Sequence, residues 1–155
     1  MFTNFEIMPS QSKVYFFFQD TIFSIPQKKR LQAFIELIFK KERKKLVSIT
    51  YVFCTDKFLL NLNKQYLNHS YFTDVITFDL SDSNKCIQAE VYISIDRVKD
   101  NTKKFKTSFK SELYRVVFHG ALHLCGFSDK TASQIKKMRE FENRYLTKFN
   151  NECST

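Results

Sequence analysis

Residues 108–129 read SFKSELYRVVFHGALHLCGFSD, and this stretch predicts one long helix followed by a tight turn. The helix is expected to run from Ser108 to Cys125, because apolar residues recur through it at helical spacing. Gly126 follows directly and can take the left-handed conformation that ends many helices. The apolar stripe of the helix consists of Leu113, Val116, Val117, Gly120, Ala121 and Leu124.

Two histidines, His119 and His123, stand four residues apart in this helix. They project from one side of it, about 40° apart and one turn apart along the axis. At about 100° per residue, the apolar stripe is centred roughly 110° away from them. The histidines should therefore flank the packed face and reach solvent or a substrate, as two imidazoles that bind one metal ion must do.

A third candidate ligand, Asp129, follows the turn at Gly126 and can reach the same ion from outside the helix. Three protein ligands leave one tetrahedral position open, and open zinc sites are the catalytic kind, whereas structural sites are closed and usually rich in thiolates. Cys125 lies inside the motif but is interpreted as a small buried hydrophobic residue. The alternative is that both histidines are ordinary helix residues.

The spacing H-x-x-x-H-x-x-G-x-x-D also matches metalloproteases of the metzincin type. Those enzymes need a glutamate directly after the first histidine as the general base, and here that residue is Gly120. Without this carboxylate, no group in the motif takes a proton from the metal-bound water. The motif therefore does not favour a peptidase.

The segment before residue 70 predicts a strand, a helix, a second strand and a second helix. Residues 14–18 form a short apolar run typical of a buried strand. Ser24 is expected to cap the first helix, with Pro26 in its first turn, and Thr55 or Asp56 to cap the second. In the second helix Leu59, Leu62 and Tyr66 should face inward. Helical spacing in the first helix is carried by Leu31, Phe34, Ile35 and Ile38, and the alternation of the second strand by Val47, Ile49, Tyr51 and Phe53.

Residues 75–80 and 86–95 predict two further strands, and the polar residues 81–85 between them predict a hairpin loop. A short helix is expected at residues 96–104. Thr131 and Gln134 predict a capping box for a last helix. This helix should carry the apolar residues Ile135, Met138, Phe141 and Tyr145.

The order βαβαββ followed by helices predicts an α+β fold, in which the hairpin makes a small mixed β-sheet of about four strands with several helices around it. The metal site should lie on the long helix. With 155 residues the chain is expected to form a single domain, residues 1–155.

The composition is basic: 25 Lys+Arg against 16 Asp+Glu give a net charge of +9. Such a charge favours polyanions, nucleic acid first, although a bias toward Lys, Asn, Ile and Phe explains it equally well. No apolar stretch approaches the ~18 residues that a membrane span needs, and no membrane partner is expected. The four cysteines have no C-x-x-C pair and the chain shows no signal peptide, so reduced thiols in a cytoplasmic protein are expected. They are Cys54, Cys86, Cys125 and Cys153.

Three segments together resemble the YbeY family. Residues 119–127 reproduce the first nine positions of its signature, H-G-x-L-H-L-x-G-[YF]-D-H. Residues 73–78, TDVITF, resemble the family's T-D-V-L-S-F, and residues 89–94, AEVYIS, resemble its G-D-I-x-I-S strand. The match spans roughly residues 56 to 140, and only the order of elements fits before that.

This resemblance implies a single-strand-specific metallo-endoribonuclease, a hydrolase acting on phosphodiester bonds. The family acts in rRNA maturation, including the 3′ end of the small-subunit rRNA, and in ribosome quality control. One zinc ion per chain, held by His119, His123 and Asp129, would polarise a phosphoryl oxygen and lower the pKa of its water toward ~7. The implied partners are ribosomal RNA and the small ribosomal subunit, and the chain is expected to be a monomer. The alternative is a ribosome-associated assembly or binding factor with a structural metal and little catalysis.

Two positions depart from the family pattern. The third ligand is usually histidine, and Asp129 stands there, which should alter the affinity and leave less positive charge. Most members also carry an arginine, thought to bind phosphate, where Leu67 now stands. The candidates that could replace this cation are Lys64, His69, Arg115 and Lys130.

The general base is not visible in the motif. Glu112 lies seven residues before His119 on the same helical face, and it could orient His119 or accept a proton. The alternative is a solvated carboxylate near the helix N-terminus. Asp74 and Glu90 are interpreted as strand-end residues, unless the folded sheet brings them beside the metal. Phosphate contacts are expected from lysines 40–45, Lys103, Lys104, Lys106, Lys110, Lys136 and Lys137.

Overall fold

The computed structural model describes residues 12–83 and 86–152. The predicted α+β fold and the order βαβαββ followed by helices are confirmed. Cys153 and part of the predicted hairpin loop, residues 84–85, lie outside the described residues. The elements are β1 (Val14–Gln19), α1 (Lys28–Lys41), β2 (Lys45–Cys54), α2 (Asp56–Leu67), β3 (Val75–Asp79), β4 (Cys86–Ser94), α3 (Ile95–Phe105), α4 (Phe109–Leu124) and α5 (Ala132–Asn151).

The four strands form one mixed sheet in the order β1-β2-β4-β3. Strand β2 pairs in parallel with both β1 and β4, and β3 pairs antiparallel with β4. The predicted hairpin is therefore present as β3 and β4, and it makes the sheet mixed. Within the described residues, no helix combines the length and the apolar character needed to cross a membrane.

Each face of the sheet is covered differently. Alternate residues of β2 and β4, such as Tyr51 and Val91, belong to a large core that also includes side chains of α1, α4 and α5. The opposite face carries a smaller cluster in which Cys54 and Ile76 pack with Leu59 of α2. The larger core thus contains side chains of four helices, α1, α3, α4 and α5, whereas the smaller cluster contains those of α2.

Helix α4 has the predicted bounds, and both its ends are capped. The Ser108 side chain accepts a hydrogen bond from the Ser111 amide at the start. At the end Gly126 has φ 103, its amide donates to the His123 carbonyl, and the Phe127 amide donates to the Leu122 carbonyl, both at 3.0 Å. These two bonds define a Schellman motif, which satisfies carbonyls that a helix end leaves open. The apolar stripe predicted for this helix is buried throughout.

The first helix was predicted to begin one turn too early. Residues 24–26 are not helical, and α1 begins at Lys28 after Gln27, which has φ 53. A residue before proline is driven away from helical backbone angles, so Ile25 stays outside the helix. The carbonyl of Pro26 accepts a hydrogen bond from the Tyr114 hydroxyl at 2.8 Å instead.

Four apolar side chains of the predicted elements are exposed, among them Tyr66, which was predicted to face inward. Val47 is exposed because the pairing of β2 with β4 shifts between Leu46 and Ser48, which makes Val47 an extra residue in the strand. Strand β1 is an edge strand, and its alternate side chains, Phe17 among them, face outward. Tyr66 and Ile135 are also exposed. The structure confirms Thr55 as the N-cap of α2, one of the two residues predicted for that position. It also confirms the predicted capping box of α5.

Gly120 gives the first testable prediction, because a Cβ atom there would meet Cγ1 of Val91 at 2.8 Å. Overpacking of this kind costs about 1–3 kcal/mol, against a gain of ~1 kcal/mol in helix propensity. We expect Gly120→Ala to lower the free energy of unfolding by up to about 2 kcal/mol in denaturant titrations. In a Val91→Ala background, where the space is open, Gly120→Ala should instead stabilise. Equal costs in both backgrounds would contradict this contact.

Candidate metal centre

Three side chains converge where α4 ends. Nε2 of His119 lies 2.9 Å from Nε2 of His123. Oδ2 of Asp129 lies 3.3 Å from each of these nitrogens. Two ligands of a tetrahedral zinc ion, each about 2.0–2.1 Å from it, are roughly 3.3 Å apart. The three atoms therefore have the separations that one small divalent ion requires, and they are a group of His, Asp, Glu and Cys residues that could hold a metal.

The other ring nitrogen of each histidine is held by an oxygen. Nδ1 of His123 lies 2.9 Å from the carbonyl of Phe127, and Nδ1 of His119 lies 3.3 Å from Oε2 of Glu142. A carbonyl or an ionised carboxylate can only accept, so each Nδ1 carries the proton and donates it. Each Nε2 then presents its lone pair to the triangle, which is the tautomer that a metal ligand needs.

Two nitrogen lone pairs facing each other at 2.9 Å repel unless a proton or a metal ion lies between them. The carboxylate of Asp129 adds a negative charge at the same point and is 41% exposed, so the triangle is open on one side. This donor set, two neutral imidazoles and one carboxylate with an open side, fits zinc and leaves a position for a non-protein ligand.

The pKa of His119 reflects these surroundings. Burial on its own lowers the pKa, but the hydrogen bond with Glu142 and the negative charges of Glu142, Asp74 and Asp129 outweigh it. The net effect raises the pKa of His119 above its ordinary value. In the metal-free protein His119 therefore holds a proton at a higher pH than a free histidine does.

Glu142 is a residue of this site that the sequence reasoning missed. It is 5% exposed, on the inward face of α5. Besides His119 it forms ion pairs with Arg115 at 3.5 Å and with Arg139 at 3.8 Å. A signal existed in the sequence, because Glu142 lies on the same helical face as the apolar residues Met138 and Tyr145. An acidic residue within such a stripe must have a buried partner.

Glu112 is buried, which contradicts the solvated alternative. Its carboxylate accepts a hydrogen bond from Thr107 at 3.0 Å and lies 3.8 Å from Nε of Arg115. The residue that contacts His119 is Glu142, so the orienting role predicted for Glu112 belongs to Glu142 in this structure. Glu112 does line the cleft beside His119, and its catalytic role stays a prediction.

Two clefts meet at the candidate metal group, since Asp74, His119 and Asp129 line both of them. The smaller cleft also contains Arg115 and Arg139. Asp74 was interpreted as a strand-end residue unless the fold placed it beside the metal, and the fold does so. Glu90 instead accepts a hydrogen bond from Tyr92 and lines neither of these two clefts.

The larger cleft contains Leu67, the position of the family arginine, together with His69 and Lys130. Of the other two cations considered, Arg115 lines the smaller cleft and Lys64 lines neither of the two. Cys125 is buried, and burial raises the pKa of its thiol to about 12. A thiol that stays protonated is not a metal ligand, which agrees with the interpretation of Cys125 as a packing residue. Cys54 and Cys86 are free thiols as well.

Comparison with known proteins decides the family. The family model described as endoribonuclease YbeY matches residues 17–150. An endoribonuclease YbeY of Cytophaga hutchinsonii is 39% identical over 137 residues, which cover 88% of this chain and 96% of that protein. The chain belongs to the YbeY family of endoribonucleases. A YbeY relative from Parabacteroides distasonis is 42% identical over 127 residues, covering 82% of this chain and 89% of the relative.

A solved structure agrees with the fold. The solution structure of a Thermotoga maritima protein is 27% identical, covers 90% of both chains and superposes with a TM-score of 0.63. In this chain the Asp129 carboxylate lies 3.3 Å from Nε2 of both histidines, so the described residues supply three candidate ligand atoms with an aspartate at this position. The sequence departure at Asp129 is therefore compatible with a complete set of three ligand atoms.

Asp129 is tested by substitution. Asp129→Ala should weaken zinc binding by roughly a few kcal/mol, the share of one ligand in a chelate, while Asp129→His should retain the metal. Competition titrations with a chromophoric chelator measure both affinities. Asp82→Ala, which removes an exposed carboxylate of the β3–β4 loop, is the control and should leave affinity unchanged. Wild-type affinity in Asp129→Ala would exclude this carboxylate from the ligand set.

Glu142 should act on the metal through His119. Glu142→Gln removes the charge that holds the Nδ1 proton of His119, and loss of such an outer partner typically costs about 10–100-fold in metal affinity. Chelator competition at pH 8 measures this loss. Glu140→Gln, at an exposed position of the same helix, is the matched control. Equal affinities in the two variants would show that Glu142 does not support His119.

The same pair predicts a dependence on pH. Because the pKa of His119 is higher in the folded protein than in the unfolded chain, the charged ring stabilises the metal-free protein. This stabilisation is complete below about pH 6.5, the ordinary pKa of histidine. It is lost as the pH rises through the higher pKa of the folded protein. Zinc needs the neutral ring, so its affinity should rise over that same range. Denaturant titrations of chelated protein at several pH values test this. If Glu142→Gln and wild type show the same pH dependence, the ion pair does not control His119.

Proposed function

We propose that this chain is a zinc-dependent endoribonuclease that cleaves single-stranded RNA. Its substrate is ribosomal RNA, with processing of the 3′ end of the small-subunit rRNA and ribosome quality control as its tasks. It acts in the cytoplasm as a monomer that engages the small ribosomal subunit. The observation that carries this proposal is the open triangle of His119, His123 and Asp129 at the border of two clefts.

His119, His123 and Asp129 would hold the ion. When bound, zinc supplies a Lewis acid, which polarises a phosphoryl oxygen and lowers the pKa of a water ligand. The chain's own residues prepare this position: Glu142 and the Phe127 carbonyl fix the two imidazole tautomers. The exposed side of Asp129 leaves room for a phosphodiester to approach.

Arg115 is the best-placed cation to contact the substrate phosphate. Its Nε and Nη1 atoms are buried and form ion pairs, yet they have no hydrogen-bond partner among the described residues. Arg115 lines the smaller cleft together with His119. These two nitrogens face Glu112 and Glu142, and the rest of the guanidinium brings a positive charge to the cleft that Lys64 does not reach, which supports Arg115 over Lys64 as the replacement for the family arginine.

The net charge of +9 supports RNA as the substrate, because lysine contacts position the phosphate backbone without reading its sequence. Lys130 stands at the larger cleft, beside the candidate metal group. Lys40, Lys44 and Lys45 line a separate basic groove between α1 and β2. These cations extend the attraction for a polyanion beyond the cleft itself.

The alternative, an assembly factor with a structural metal, is favoured only by Leu67. Structural zinc sites are closed and usually thiolate-rich, whereas this group has no thiolate and one exposed carboxylate. The family description, endoribonuclease, also supports catalysis. We therefore retain cleavage as the proposed activity.

The test combines cleavage with binding. Purified protein should cut a single-stranded RNA, stop when a chelator removes the metal, and resume when zinc is restored. His123→Ala should abolish cleavage but keep most of the RNA binding. That binding should weaken with salt at a log–log slope of about −2 to −3.5 for roughly three to five engaged lysines. No peptide should be cut.

The outcomes separate the two functions. Binding with the same salt slope, without metal-dependent cleavage even on intact ribosomal substrates, would assign the chain to the assembly-factor alternative. A salt slope near zero would refute the electrostatic account of RNA binding. Proteolysis that disappears in His119→Ala would refute the exclusion of a peptidase.

A further inference from the structure

The connection between α2 and β3 forms one wall of the larger cleft. Leu67 at the end of α2 and His69 and Tyr71 of the connection line this cleft together with the candidate metal group. The cleft has a volume of about 740 Å³. Ligand pockets usually measure about 300–1,000 Å³, so this space can receive part of a nucleic-acid strand.

Two rings on the wall hold each other in place. His69 and Tyr71 stack with their centroids 5.0 Å apart and their planes 21° apart. The Tyr71 hydroxyl and Nδ1 of His69 share a hydrogen bond of 2.9 Å. Tyr71 is nevertheless 58% exposed. The pair is thus ordered, yet most of the Tyr71 ring is not used for packing within the fold.

A buried asparagine fixes the backbone beneath these rings. Asn63 of α2 is 1% exposed, and its Nδ2 donates to the Tyr71 carbonyl at 2.9 Å. The carbonyl of Asn63 accepts from the His69 amide at 3.2 Å. One residue therefore anchors the main chain at both ring-bearing positions. Such preorganisation lowers the entropy lost when a ligand binds.

The other exposed aromatic residues near this connection, Tyr66 at the end of α2 and Phe72, make contacts elsewhere. Tyr66 packs edge-on against Phe78, with ring centroids 5.9 Å apart. Phe72 lies under the guanidinium of Arg97, 4.5 Å from its ring centroid. Neither Tyr66 nor Phe72 lines the larger cleft, so the stacked pair is the aromatic surface that this connection turns toward the candidate metal group.

The side chains on this wall indicate the kind of ligand that it binds. Two rings beside the apolar Leu67 offer flat surfaces and no fixed cation, which suits the face of a nucleobase better than a phosphate. Lys130 lines the same cleft and can contact the backbone. A base inside a duplex is stacked on both faces and cannot offer one of them to a protein ring. The wall therefore suits an unpaired base.

We propose that His69, Tyr71 and Leu67 form a stacking platform for one unpaired base next to the phosphodiester that reaches His119, His123 and Asp129. This inference rests on the proposed function and adds to it the physical origin of single-strand selectivity. The platform replaces, by stacking, part of the binding that the family arginine gives through charge.

The test uses a set of short fluorescent single-stranded RNAs in which one nucleotide at a time is abasic. Cleavage by the zinc-loaded protein gives kcat/KM, and fluorescence anisotropy in chelator gives the affinity for intact RNA. Tyr71→Ala should weaken binding of the parent RNA by roughly 5- to 150-fold, the range for one stacked base. Tyr71→Phe, which keeps the ring, should stay close to wild type.

The abasic RNAs identify the contact. Wild type should lose affinity and kcat/KM at one position of the strand, and Tyr71→Ala should lose nothing further at that position. His69→Ala should behave like Tyr71→Ala, and this second variant guards against a folding defect in the first. Tyr66→Ala, which removes an exposed ring outside the cleft, is the matched control and should bind like wild type.

The contrary results are distinct. The platform would be overturned if wild type and Tyr71→Ala lost the same RNA affinity at every abasic position. It would also be overturned if Tyr71→Phe bound RNA as weakly as Tyr71→Ala, because the hydroxyl rather than the ring would then be the binding group. Absence of metal-dependent cleavage by wild type would refute the proposed function instead. Wild-type protein that does not bind single-stranded RNA would overturn both.

Discussion

The contact between Gly120 of α4 and Val91 of β4 sets how closely the helix lies on the sheet. Because no side chain separates them, α4 sinks into the core and is buried around most of its circumference. The histidines before and after this contact in the helix, His119 and His123, remain only partly covered. Helix α4 is thus a rigid, packed element that holds both imidazoles in place, and only the narrow side that carries them stays open.

The same contact explains why position 120 cannot carry a catalytic carboxylate. In a metzincin motif the residue after the first histidine is the glutamate that acts as general base on the metal-bound water, but here that position faces Val91 across a gap that already lacks room for a methyl group. Gly120 is therefore a packing residue, and the fold leaves no room for a catalytic side chain at this position. Two independent observations thus speak against a peptidase: residue 120 is a glycine, and the space beside Val91 is too small for a glutamate there.

The turn after α4 connects the fold to the chemistry. The Schellman motif at Gly126 directs the chain back, so that the Phe127 carbonyl meets Nδ1 of His123 and Asp129 reaches both histidines. This part could be predicted from the sequence, because helix periodicity and a terminal glycine are local signals. Tyr66 and Val47 could not be placed correctly, because their exposure depends on which element lies opposite and on a strand irregularity.

Glu142 shows why part of the site could not be predicted from local sequence spacing. It contacts His119 from α5, 23 residues further along the chain, and no sequence spacing gives the distance between two helices. Glu112, on the same helix as His119, could be considered from periodicity, but its partners are Thr107 and Arg115. A long-range contact of this kind needs the three-dimensional packing of both helices.

The two departures from the family pattern have one electrostatic consequence. Asp129 contributes a negative carboxylate to the metal group where the resemblance predicts a neutral imidazole, and Leu67 contributes no charge to the cleft where the resemblance predicts an arginine. Both changes weaken the attraction for a phosphate at the point of cleavage. Binding must then come from elsewhere, and the structure offers two sources: the Arg115 guanidinium in the neighbouring cleft and the exposed ring of Tyr71. Stacking releases no counterions whereas charge contacts do, so under our proposal an RNA strand in this cleft is held by its base as much as by its backbone.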